Sequence, residues 1–262
     1  VIGVLYSSEV SRILRARRFK VMLAAMLLPV VVYFFTHEEI TEYGAKALER
    51  SFQIVTSEFM VNFWLSVIGQ LVAIILMSDL LASEIEKGTI RLLLTKPIRK
   101  SEIVFGKFLA GMTGIAVLFG VPYLVLQIYG VLLYKAGLEG FTATFDEVLY
   151  ALGVTLLLLG ALGALAVLLS VVVSRPLYAS LSAFALVFVA QFILPQLPFF
   201  DNPERFTLNY QVGVLLKSHF TLHAGLDAYK GEPRMTALFF IGSIIAALLF
   251  TLLGIYRKEY PD

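Results

Sequence analysis

The chain has 262 residues, 59% hydrophobic and 15% charged, with a formal net charge of +2 and a mean hydropathy of +0.85. A soluble domain carries about a quarter charged residues, so this composition excludes an ordinary soluble fold and is that of an integral membrane protein; the small net charge gives no sign of a nucleic-acid partner. There is no cysteine, which rules out disulfides and thiolate-bound metal.

Residues 1–20 set Val4, Leu5, Val10, Ile13 and Leu14 against Glu9, Arg12, Arg15, Arg17, Arg18 and Lys20. Apolar residues interleaved with basic ones predict an amphipathic helix lying along the inner membrane surface, near anionic lipid. No small-residue cleavage site follows, so the segment does not read as a signal peptide. An ordinary positive-inside flank explains the arginines equally well and gives Glu9 no function. The first span, 21–35, contains Pro29; it is short against the usual ~20 residues and is expected to begin below Arg18, with snorkelling side chains. Residues 37–58 are acidic and read as an outer loop with some helix. A second span covers 59–81, with Trp64 expected as an interfacial aromatic near its outer end and Asp79 near its inner end. The third, 103–133, is too long for one straight span, and Pro122 predicts a division or kink; Gly106, Gly111, Gly114 and Gly120 leave room for helix contact. A short polar connection, 135–147, leads to a fourth span at 148–173, where Gly160 and Ala164 form a small-xxx-small pair. Ser174-Arg175-Pro176 makes a tight turn. The fifth span, 177–194, stops at Pro195. A second outer region, 199–234, has room for a short helix or re-entrant hairpin, and a sixth span covers 235–255.

The expected fold is therefore an all-α integral membrane protein of six transmembrane helices with an N-terminal amphipathic interfacial helix: residues 1–20 at the interface, 21–256 in the transmembrane domain, and 257–262 as a tail. Lys and Arg are twice as frequent in the segments on the side of the termini as on the other side. By the positive-inside rule both termini are cytoplasmic, in a multi-pass protein of the cell (plasma) membrane.

One polar island, residues 81–107, interrupts the apolar spans: LASEIEKGTIRLLLTKPIRKSEIVFGK. Its Ile85, Ile90 and Leu92–Leu94 form an apolar side, and Glu84, Glu86, Lys87 and Arg91 a polar one. Pro97 disfavours helix at Lys96, and Glu102 suits the first turn of a helix restarting near Ser101. The order Glu84-x-Glu86-x-Gly88-Thr89, then Leu93-Leu94, Pro97, Arg99 and Gly106-Lys107 resembles the ABC-2 family of transporter permeases. Ser170 to Pro176 is similar to that family's turn between spans four and five, and the family often has an acid where Glu9 stands. The resemblance implies that region 82–102 is a coupling region touching an ATP-binding cassette subunit, with Glu84, Glu86, Lys87, Gly88, Thr89, Arg91, Pro97 and Arg99 at the contact. It further implies that ATP and Mg are bound by that partner, that a second permease copy or related permease completes a dimer, and that the cargo is an exported hydrophobic or amphiphilic molecule. Without the resemblance, the same charges read as a solvated positive-inside loop or a site for lipid phosphates.

Other chemistry is sparse. No span carries a clear buried charge of the kind ion pumps need; the mid-span polar residues are Gln70, Gln127 and Gln191, with Ser and Thr. No phosphate-binding loop occurs, so the chain is expected not to hydrolyse ATP itself. His219, His223 and Asp227 stand at i, i+4 and i+8 and on a helix would share one face as weak metal candidates; an amphipathic outer helix is the plainer reading. An intramembrane hydrolase lacks a histidine at the depth of its serines. A secondary transporter, a channel and a membrane anchor of an enzyme complex remain the alternative functions.

Overall fold

A computed structural model describes residues 2–37, 40–89, 99–173, 175–196, 205, 207–221 and 224–257. Every regular element among them is helical: α1 (Ile2–Arg15), α2 (Arg17–Thr36), α3 (Ala45–Phe59), α4 (Val67–Glu86), α5 (Lys100–Leu133), α6 (Gly137–Ala143), α7 (Phe145–Val172), α8 (Pro176–Phe188), α9 (Leu208–Lys217) and α10 (Pro233–Arg257). Six stretches are long and apolar enough to cross a membrane: α2, α4, α5, α6 with α7, α8 with its extension to Ile193, and α10. The protein is an all-α, six-span membrane protein. Successive spans alternate in direction, so α1, the end of α4 and the start of α5 share one end of the bundle with the C-terminal end of α10. Contacts distant in sequence agree: Lys100 Nζ donates to the Ile255 carbonyl at 3.3 Å at this near end, and Tyr129 Oη lies 3.2 Å from His37 Nδ1 at the far end.

The spans differ in depth within the bundle. The most apolar window of α4 is 67% buried, whereas those of α2, α8 and α10 are 22% buried. Thus α4 is central, and the other three present long apolar faces such as Phe239, Leu253 and Val21, as lipid contact requires. Small residues create the central seat: a Cβ on Gly111 would stand 2.3 Å from Met77 Sδ, and one on Gly163 2.8 Å from Met77 Cε. Met77 of α4 is thus clasped between α5 and α7, its side chain wholly buried. Gly160 faces Met112 in the same way.

Several sequence expectations change. Span two begins at Val67, not residue 59, because α3 continues to Phe59 and passes into a π-helical turn, Met60–Trp64, followed by extended backbone at Ser66. Trp64 is fully buried rather than interfacial. Its indole donates to the Met26 carbonyl at 2.9 Å, and its ring meets Phe59 and Tyr123 edge-on. Gly69 permits the break, since a Cβ there would lie 1.7 Å from the Trp64 carbonyl oxygen. Gln70 donates to the Leu65 carbonyl at 2.8 Å, satisfying a group the break would otherwise strand. Pro122 divides nothing: α5 runs through it as one 34-residue helix. Span one starts at Arg17, as its shortness suggested, and the 210–226 region holds α9 and a 3₁₀ turn, Ala224–Ala228.

The Met77 seat makes a direct prediction. Gly163→Leu overfills it and should lower stability by about 1–3 kcal/mol, read as a lower unfolding midpoint in detergent. Gly153→Leu, with nothing within 4 Å of the added Cβ, should leave the midpoint nearly unchanged; equal effects would exclude the clasp.

Candidate functional site

The near end is organised by charge. Lys107, two turns into α5, is 1% exposed. Burying an ammonium in an apolar bundle costs several kcal/mol unless it is paired, and here two helices supply the pairing. Its Nζ lies 2.7 Å from Glu9 Oε1 of α1 and 2.6 Å from Glu84 Oε1 in the last turn of α4. Glu9 is itself 6% exposed, and its Oε2 accepts from the Arg12 guanidinium at 2.5 Å. Two acids and two bases make a neutral network grading from the buried lysine to the exposed arginine. Beside it, Arg18 at the start of α2 pairs with Asp79 of α4.

The local sequence explains this placement. The chain turns at Ala16, whose ψ of 134° ends α1 and starts α2. This lets α1 lie against α5 instead of continuing outward. Glu9, Tyr6 and Ile13 face α5 together: Tyr6 Oη is 2.7 Å from Thr113 Oγ1, and Ile13 sits against Gly114, where a Cβ would come within 3.2 Å of it. Arg12 and Arg15 occupy the last turn of α1, where cations complement the helix dipole. Arg15 and Arg17 remain exposed, positioned for solvent or lipid phosphate.

The candidate coupling residues divide. Glu84 points inward to Lys107. Glu86, Lys87, Gly88 and Thr89 form the exposed turn that ends α4. Gly88 has φ 69°, a left-handed conformation that closes a helix and suits glycine, and its N–H donates to the Ile85 carbonyl at 3.1 Å. Arg99 is exposed immediately before α5. Arg91 and Pro97 lie outside the described residues. The Glu84–Lys107 pair therefore sits one helical turn behind an exposed polar turn, connecting that surface to the interior.

Sequence reasoning missed Lys107 as a site residue and found no clear buried charge in the spans; the structure corrects this. The signal was present: Lys107 stands at i−4 and i−7 from Gly111 and Gly114, so it shares the helix face that seats neighbouring helices. The metal candidates also change. The helix ends at Lys217, so helical spacing does not relate His219 to Asp227. His219 stacks on Tyr150 with centroids 4.4 Å apart, and Asp227 pairs with Lys217 at 3.4 Å. His223 lies outside the described residues, among which no group of three or more His, Cys, Asp or Glu could hold a metal. The mid-span glutamines do converge in part: Gln191 Nε2, in a second π-helical turn Val189–Ile193, donates to Gln70 Oε1 at 2.5 Å.

No curated protein matches the chain. A family model described as ABC-2 family transporter protein matches residues 4–211, which takes in α1, the island and the first five spans. With six membrane-crossing helices and a match over most of its length, the chain belongs to the ABC-2 family of transporter proteins.

Proposed function

We propose that this chain is the membrane-spanning, non-hydrolysing subunit of an ATP-driven transporter that exports a hydrophobic or amphiphilic substrate. Family membership implies, at the level of the family, pairing with an ATP-binding cassette subunit. In this reading ATP and Mg stay with that partner, and a second copy of the chain or a related permease completes the pathway. The interfacial helix is the part of residues 1–20 that precedes span one at Arg17; the transmembrane domain runs on to residue 256, with 82–102 as the coupling region, 199–234 as the outer helical region, and 257–262 as a cytoplasmic tail.

The observation that carries the reading is Lys107 held between Glu9 and Glu84. A push received by the exposed Glu86–Thr89 turn reaches Glu84 within one turn of helix. Because the Lys107 ammonium is buried and bonded to both carboxylates, separating it from either one is costly, and the three helices respond together rather than singly. Glu86, Lys87 and Arg99 then make the partner contact, with Arg91 and Pro97 assigned to the same contact by the family pattern. Glu84 acts through Lys107 as a positioning residue. The exposed Arg15 and Arg17 hold α1 at the anionic inner leaflet.

Three outcomes test this reading. First, Glu86→Lys, assayed with the co-expressed ATP-binding subunit, should lower transport per ATP hydrolysed about tenfold, within the usual range of coupling free energies, while leaving the unfolding midpoint in place; unchanged coupling would remove Glu86 from the contact. Second, Lys107→Met should destabilise by about 3–5 kcal/mol, since it takes from Glu84 its cation in a partly buried site, and Glu9→Gln by less, since Glu84 still pairs with Lys107; the double variant should cost less than the sum of the two, and strict additivity in chemical unfolding would show that the pair does not interact. Third, since the chain has no cysteine, Thr89→Cys and Lys135→Cys give clean topology reporters. An impermeant maleimide should label the Lys135 position in intact cells and the Thr89 position only after permeabilisation; the reverse would invert the orientation.

A further inference from the structure

At the far end, four buried side-chain oxygens have no hydrogen-bond partner: Gln53 Oε1, Thr56 Oγ1, Gln127 Oε1 and Glu147 Oε2. All four residues are at least nine-tenths buried, and they belong to one neighbourhood. Gln53 of α3 donates to Glu147 Oε1 of α7 at 3.1 Å, so two of the orphans flank a single hydrogen bond. Thr56 stands one turn after Gln53 on the same helix face. Gln127 of α5 donates to Thr144 Oγ1 at 3.1 Å and to the Phe141 carbonyl at 3.0 Å, and Thr144 stands one turn before Glu147. Gln53 thus touches the Glu147 carboxylate directly, and Gln127 reaches the same helix one turn away through Thr144.

The chemistry of this set is selective. Amide carbonyl oxygens and an ionised carboxylate only accept hydrogen bonds, so they are satisfied by a donor or by a cation. The Thr56 hydroxyl is able to donate, yet it reaches none of the other three within bonding distance. No cationic side chain pairs with Glu147 among the described residues. The other charges on the packed elements at this end are Lys46, Glu49, Arg50 and Glu58 of α3, Glu139 of α6 and Asp146 of α7, all exposed except Glu49, which is half-buried. Placement in the first turn of α7 favours a negative charge at Glu147 through the helix dipole but gives its Oε2 no donor.

We infer that Gln53, Thr56, Gln127 and Glu147 form a site for an alkali cation that ties α3, α5 and α7 together at the far end. The ligands are hard oxygens, which suit an alkali or alkaline-earth ion rather than a transition metal. One buried carboxylate balances one positive charge, whereas calcium sites gather several carboxylates and magnesium retains most of its water. The site is distinct from the near-end network and does not depend on a nucleotide-hydrolysing partner.

The test is the unfolding midpoint of the full chain in detergent, with sodium chloride replacing choline chloride at constant ionic strength and pH. The midpoint should rise by about 5 °C as sodium goes from absent to well above its dissociation constant, following ligand linkage. Glu147→Gln should abolish the rise, and so should Thr56→Val, which keeps the charge and is the check should the first variant fold poorly. A midpoint indifferent to the cation would overturn the proposal. So would a midpoint that responds to pH alone, since a proton then neutralises Glu147, or a sodium effect of undiminished size in both variants.

Discussion

The ammonium of Lys107 is a point charge with three donors, buried where water does not reach it. Two of those donors are answered by carboxylates from different helices, α1 and α4, and the arrangement holds because each acid also has a reason to be there. Glu9 has its other oxygen on Arg12 at the exposed edge, and Glu84 occupies the end of a span, where an acid costs less than at mid-bilayer. Lys107 is the member both acids share, so its loss takes a cation from two helices at once, and the pairing with Glu9 helps to fix where α1 sits.

From that fixed end the bundle changes its means of cohesion. In its middle, α4, α5 and α7 meet through small residues: Gly111 and Gly163 let Met77 fill the space their own side chains would have taken. Without a hydrophobic drive between helices in lipid, such close packing carries the association. Toward the far end, the Met60–Trp64 turn and Ser66 separate α3 from α4, and α8 passes into Val189–Ile193. The Gln70–Gln191 bond joins these two irregular stretches. Both stretches include a π-helical turn, the kind of irregularity found frequently at functional sites.

Much of this was legible in the residues. Six spans, an N-terminal helix of mixed apolar and basic residues and the polar turn after α4 follow from hydropathy and charge, because a bilayer forces each crossing to satisfy its own backbone. The break before α4 was not legible. Residues 59–81 are mostly apolar, and the break depends on Gly69, where any Cβ would run into the Trp64 carbonyl, a close approach that hydropathy does not register. Trp64 was misplaced for the same reason: its partners, Met26 and Tyr123, come from other spans. Pro122 misled in the opposite sense, since proline inside a membrane helix is tolerated where neighbouring groups accommodate it. The buried lysine was hidden by its position, because a basic residue near a span's inner end is expected on topological grounds alone.

Helix α1 shows why pattern and packing must be read together. Its alternation of apolar and basic residues is that of a helix resting on lipid, and Val4, 75% exposed, together with Arg15 and Arg17, fits that surface. Yet an interfacial helix held by lipid alone would present Glu9 to the anionic headgroups, where like charge disfavours it. Turned toward α5, the same acid meets Lys107, and Tyr6 and Ile13 follow it onto Thr113 and Gly114. One acidic residue thus decides the rotation of the helix about its axis. It docks the helix on α5 and leaves Arg12 and Arg15 on the exposed side.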